Sequence, residues 1–209
     1  MNVIKPYIEV WTPKEELSEI PSRLERCGRI CYKSENKITE GSCETFVKNI
    51  VKRNHTAVLE HCSITVKIVC DRGVTHEIVR HRLASYCQES TRYCNYSQDK
   101  FNSEITVIEP CYLEKGTTGY GMWEVSCQQA EKAYFDLLDF GCSPQEARAV
   151  LPNSLKTEIV MTANIREWRH FLNLRSSAAA HPQMREVANL ILKEFKTSVP
   201  FLFDDIEGM

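Results

Sequence analysis

The sequence predicts a mixed α/β (α+β) fold. It forms a single domain over residues 1–209, with a small central sheet flanked by long helices. Three observations lead there. Leu59 to Cys70 and Leu155 to Ala163 alternate apolar and polar residues with period two, the pattern of half-buried strands. Elsewhere, runs such as Leu17, Ile20, Leu24, Cys27 and Ile30 recur at helical spacing. The chain is 209 residues long, 43% hydrophobic and 26% charged, which suits one globular domain and excludes a disordered chain.

Val3 to Trp11 reads as the first strand. Thr12, Pro13 and Glu15 then give a helix start, with a capping Thr, a Pro at the first position and a Glu at the third. Lys33 to Gly41 is a polar loop. A second helix begins near Ser42, with Phe46, Val47, Ile50 and Val51 as its buried stripe, and ends at Asn54 to Thr56. After the Leu59–Cys70 strand, Asp71 caps a helix over about 72–83. Ser85 to Lys100 is polar, aromatic and aperiodic, and so a loop with short helical turns. Ile105 to Ile108 is a short strand. Met122 to Phe140 is a long helix with Val125, Ala130, Ala133, Tyr134, Leu137 and Leu138 inward, ended by Gly141. Ser143, Pro144 and Glu146 start a short helix that Pro152 stops. The Leu155–Ala163 strand leads to Asn164, a cap with Glu167 three residues on. The last helix spans about 183–196 on Val187, Ala188, Ile191, Leu192 and Phe195.

Composition narrows the function. The net charge of −2 is low for a general nucleic-acid binder. No run of 18 apolar residues is present, and Met1 to Trp11 carries no basic-then-apolar leader, so a cytoplasmic protein is expected. Ten cysteines are scattered without a CxxC, so reduced thiols in apolar surroundings are expected. Cys87 and Cys94 are the candidates for a reactive thiol. His55/His61 and His76/His81 lack the spacing of a helical metal pair, and no metal is expected. GxSxG, GxGxxG and P-loop motifs are absent.

The densest polar run is Arg80-His81-Arg82-Leu83-Ala84-Ser85-Tyr86-Cys87-Gln88-Glu89-Ser90-Thr91-Arg92-Tyr93. Like charges this close repel unless an anion neutralises them, and guanidinium forks match phosphate. Two classes of function use such a run. One is an enzyme site for a phosphorylated ligand. The other is an anion- or RNA-binding module with Tyr86, Tyr93 and Tyr96 as stacking platforms, which the acidic balance disfavours.

Arg-His-Arg, seven residues, Ser90, then Arg92-Tyr93 resembles the signature of the flavin-dependent thymidylate synthase family. The resemblance extends to His55 with Leu59-Glu60-His61, Glu146-Ala147-Arg148 before Leu151-Pro152, Asn164-Ile165-Arg166, and Phe171-Leu172-Asn173-Leu174-Arg175. It implies the family's fold in a homotetramer with shared active sites. It also implies conversion of dUMP to dTMP, with methylenetetrahydrofolate as carbon donor, FAD as hydride carrier and NADPH as reductant. The resemblance further implies that no cysteine–uracil adduct is formed. Cofactor contacts carried over by resemblance are His55, Ala57, Arg80, His81, Arg82, Gln88, Asn164, Ile165, Arg166 and His170. Substrate contacts are Glu77, Ile78, Val79, Arg80, Gln88, Glu89, Ser90, Thr91, Arg92, Arg148 and Arg175. Arg175 is the candidate for polarising the uracil ring, and Ser90 is the motif serine.

The chain departs from the family pattern at four places. Ser85-Tyr86-Cys87-Gln88 stands where many relatives read Ser-x-Asn-Glu, so a neutral amide replaces a carboxylate, with Glu89 one residue later. Glu77 stands for a frequent Gln, His170 for a frequent Asn, and Ala57 for a residue that often bears a hydroxyl.

Overall fold

In the computed structural model, which describes residues 1–98 and 101–208, the first expected strand is two. They are β1 (Asn2–Ile4) and β2 (Tyr7–Val10), separated by Lys5-Pro6. Proline has no N–H to give a ladder, so the chain changes sheet there. β1 pairs in parallel with β5 (Thr106–Ile108), Val3 opposite Val107. β2 joins β3 (Ser63–Asp71), β6 (Lys156–Asn164) and β4 (Ala84–Gln88) in a four-stranded sheet of order β2-β3-β6-β4. β4 lies in the segment expected as loop. It is an edge strand with mostly exposed or half-exposed side chains, so it carries no apolar alternation to read. Asp99 and Lys100, the end of that expected loop, lie outside the described residues.

The chain divides into two compact units. The first comprises residues 1–7, 68–80 and 87–159. Its core is Tyr96, Ile105, Val107, Cys127, Tyr134, Ala147 and Leu155. α4 (Thr118–Asp139) begins four residues before the expected start, where the Thr117 hydroxyl accepts from the Tyr120 N–H. It buries Tyr120, Cys127 and Tyr134, one residue every seven. Val125, expected inward, is 50% exposed. α3 (Arg72–Ile78) is capped by Asp71, whose carboxylate accepts from the Val74 N–H at 2.7 Å. It stops at Ile78 rather than continuing to Leu83, so Arg80, His81 and Arg82 are not stacked in one helical turn. α5 (Pro144–Ala147) has the expected cap: the Glu146 carboxylate accepts from the N–H and hydroxyl of Ser143.

The second unit comprises residues 8–67, 81–86 and 160–209. It packs α1 (Lys14–Cys31), α2 (Ser42–Lys52), a 3-10 turn over Thr56–His61, α6 (Ile165–Arg175) and α7 (Pro182–Ser198). Trp168, Phe171, Phe195 and Phe203 are fully buried. The Trp168 indole donates to the Ile64 carbonyl at 2.9 Å, which ties α6 to β3. Thr12 does not cap α1. Its hydroxyl accepts from the Thr65 N–H at 2.8 Å instead. Ile30, expected inward, is 58% exposed, because α1 turns Glu25 and Gly28 toward α2. Gly28 allows this approach: a Cβ there would lie 2.5 Å from the Phe46 ring. Glu25 is buried, accepting from Arg29 and from the Ser42 hydroxyl, both at 2.7 Å.

Candidate active site

The second unit places a buried relay on α6. Asn164 caps the helix by accepting from the Glu167 N–H at 2.9 Å, so its side chain is already engaged. Glu167 and Arg175, eight residues apart on α6, both reach His81. The Arg175 Nε–H donates to His81 Nε2 at 3.1 Å, and a guanidinium has no acceptor. Nε2 is therefore unprotonated, and Nδ1–H faces Glu167 Oε1 at 3.2 Å. Burial holds the His81 pKa below its ordinary value. The Glu167 hydrogen bond opposes that, and the Arg175 charge adds to it. The Phe171 edge packs on the imidazole at 4.9 Å, and the Tyr86 hydroxyl donates to the His81 carbonyl at 2.6 Å. Burial first, then Glu167, pushes the Tyr86 phenol up to about 12. His81, Glu167 and His170 bring three ligand atoms within 4.8 Å, but both His81 nitrogens are committed to the relay.

The lowered His81 pKa has a sign that can be measured. The unfolded chain protonates histidine near pH ~6.5. Below that pH the unfolded state takes up a proton that the folded state refuses. Stability that is complete above about 6.5 is therefore lost as the pH falls toward the folded pKa. Between about pH 7.5 and 5.5, Tm should fall further in the wild type than in His81→Asn, as read by calorimetry. Equal losses would mean that the imidazole is not held neutral by the fold.

The same unit gathers other predicted cofactor contacts around a cavity of about 250 Å³. Arg166 and His170 line it from α6, with Asn54 and Thr56 opposite, and exposed Ala57 follows on the same turn. Arg166 pairs with Glu60, and Arg169 grips Asp205 through two nitrogens. His55 is exposed, its Nδ1 3.0 Å from the Tyr32 hydroxyl. Arg82 is exposed, whereas Ile165 is fully buried and offers only backbone.

In the first unit, residues 88–92 lie together with Arg148. Gln88 donates to the Thr75 hydroxyl at 3.0 Å and the Thr157 hydroxyl at 3.4 Å. The Glu89 N–H bonds the Glu158 carbonyl at 2.8 Å, and its carboxylate takes Lys156 at 3.1 Å. Tyr96 donates to the same carboxylate, so Glu89 pins the loop to β6. The Ser90 hydroxyl accepts from the Arg92 N–H at 3.3 Å. Arg148 Nη1 donates to the buried Thr91 hydroxyl at 3.3 Å. Arg92 lies exposed over the Tyr93 ring. Glu77 is half-buried, Val79 and Arg80 are exposed, and Ile78 is fully buried.

Two partners escaped sequence reading. Glu167 was legible only as part of a helix start, and its link to His81 spans 86 residues. Lys156 carried no signal beyond its place on a strand.

A family profile described as "Thymidylate synthase complementing protein" matches residues 16–201, a span that includes His55, the Arg80–Tyr93 run, Arg148 and Glu167 to Arg175. The chain belongs to this family. Relatives named flavin-dependent thymidylate synthase include those of Pyrococcus furiosus, 35% identical over 80% of this chain and 68% of the relative, and Pyrococcus abyssi, 36% over 76% and 64%. That of Mycolicibacterium gilvum is 34% identical over 88% of this chain and 78% of its own. The chain thus spans about two thirds of the length of the Pyrococcus relatives. The Arg80–Tyr93 run lies within the matched residues. The structure adds how Glu89 and His81 are each held within it.

Proposed function

We propose that this protein is a flavin-dependent thymidylate synthase that methylates dUMP to dTMP, the whole chain acting as one functional domain in a cytoplasmic homotetramer. Methylenetetrahydrofolate supplies the carbon, and NADPH the reducing equivalents. The observation that carries the reading, alongside family membership, is the relay in which buried His81 is held between Glu167 in the first turn of α6 and Arg175 at its last residue. FAD, when bound, carries the hydride. The cationic and amide lining of the cavity beside Arg166, His170 and Asn173 suits its phosphates and hydroxyls. No described helix is long and apolar enough to cross a membrane.

The residues divide the work by charge. Arg92 and Arg148 meet the dUMP phosphate, with Thr91 steering Arg148. Ser90 shapes the loop through its bond to the Arg92 N–H. Methylation at carbon 5 requires negative charge to build on the uracil ring, and Arg175 stabilises that charge. Neutral His81 keeps the guanidinium oriented without adding a like charge.

The test is dTMP release from dUMP, methylenetetrahydrofolate, NADPH and FAD, with each component omitted in turn. Flavin-loaded protein that forms no dTMP would reject the reading. No thiol is needed for this chemistry, so Cys87→Ala should keep near-wild-type turnover. Loss of methyl transfer with dUMP still bound would restore a cysteine nucleophile.

A further inference from the structure

A cavity of about 560 Å³ in the second unit meets the site described so far only at His55 and its partner Tyr32. The end of α1, the turn that follows it, α2 and His55 enclose it. Three permanent cations line it, Arg29, Lys37 and Arg53, together with the rings of Tyr32 and Phe46, and no lining residue is a carboxylate.

The charges are unevenly neutralised. Arg29 pairs with buried Glu25 at 2.7 Å and lies 4.7 Å above the Phe46 ring. Among the described residues no carboxylate pairs with Lys37 or Arg53. A concave wall with two uncompensated cations concentrates positive potential, which favours an anion. The aromatic rings suit a flat or conjugated portion of the same ligand. His55 joins the cavity to the flavin chemistry, because it lines this wall and is also a cofactor contact by family resemblance.

We propose that this cavity binds the polyanionic tail of a co-substrate whose reactive end works at the flavin, an inference that rests on the function proposed above. Two sources carry that chemistry: the glutamyl carboxylates of the folate and the phosphates of NADPH. dUMP is not the occupant, since its phosphate already has Arg92 and Arg148 in the first unit.

The test uses FAD-loaded protein, wild type and Lys37→Ala/Arg53→Ala. Both side chains are exposed, so the double variant keeps the core intact. Calorimetric titration with pteroylmonoglutamate, pteroyltriglutamate, NADP⁺ and NAD⁺ reads binding without turnover. The double variant should bind one tail about three- to thirtyfold more weakly, as two partly exposed charge contacts allow. FAD content and dUMP affinity should not change. A glutamyl occupant predicts that the triglutamate gains affinity over the monoglutamate in the wild type and loses that gain in the variant. A phosphate occupant predicts weaker NADP⁺ with NAD⁺ unaffected. Lys37→Glu/Arg53→Glu should deepen whichever loss is seen. Unchanged binding of every probe overturns the proposal, as does loss of FAD alone, which would make the cavity part of the flavin seat. If the wild type releases no dTMP, the proposed function fails while the titrations still decide what the cavity holds.

Discussion

Arg175→Lys should lose turnover on the order of 10²–10³-fold while dUMP affinity stays nearly unchanged. A guanidinium offers several donors in one fixed plane, and in Arg175 one of them, Nε–H, holds His81. Lysine offers one point charge on a flexible stem. It cannot keep the His81 contact and also present a planar pair to the ring. Charge on uracil grows as carbon 5 becomes nucleophilic, so the arginine contact strengthens along the reaction. Such a contact lowers the barrier more than it tightens ground-state binding. Steady-state turnover set against dUMP titration separates the two effects, and flavin reduction by NADPH should suffer less than methyl transfer. Parallel loss of affinity and turnover would reduce Arg175 to an anchor.

Arg148→Ala should weaken dUMP binding by about 2–4 kcal/mol, or roughly 30- to 700-fold, with little change in FAD affinity. The structure gives Arg148 an ordered start, because Thr91 holds one of its nitrogens and Thr91 is itself buried. Arg92→Ala should act in the same direction. Its guanidinium lies in the open over Tyr93 and must be ordered by the ligand, so its loss should be the smaller of the two. Titration of each variant with dUMP and with FAD decides the matter. Equal loss of both ligands would show that these arginines hold the fold or the flavin.

Much of the candidate site was legible because its residues are close in sequence. Arg80 to Tyr93 is one unbroken run, and a motif of fixed spacing survives without any knowledge of the fold. The capping residues were legible for a similar reason, since Asp71, Glu146 and Asn164 each accept from an N–H three residues away. Thr12 shows the limit. It has the right type and spacing for a cap, yet its hydroxyl serves Thr65 on β3, a competitor that helix-start rules cannot see.

The sequence by itself determined the strands β3 and β6, the helices that open on a local cap, and the contiguous Arg80–Tyr93 run. Each rests on local periodicity, local capping or contiguous spacing. Tertiary structure alone decided that β4 is a strand, because an exposed edge is ordered by hydrogen bonds to a neighbour and not by an apolar pattern. It also decided that Glu25 and Gly28, not Ile30, face α2. Only the fold could set Glu167 against His81 and leave that imidazole neutral beside Arg175. The physical reason is desolvation. A buried titratable group takes its charge state from whichever partners the packed chain brings to it, and those partners lie far from it in sequence.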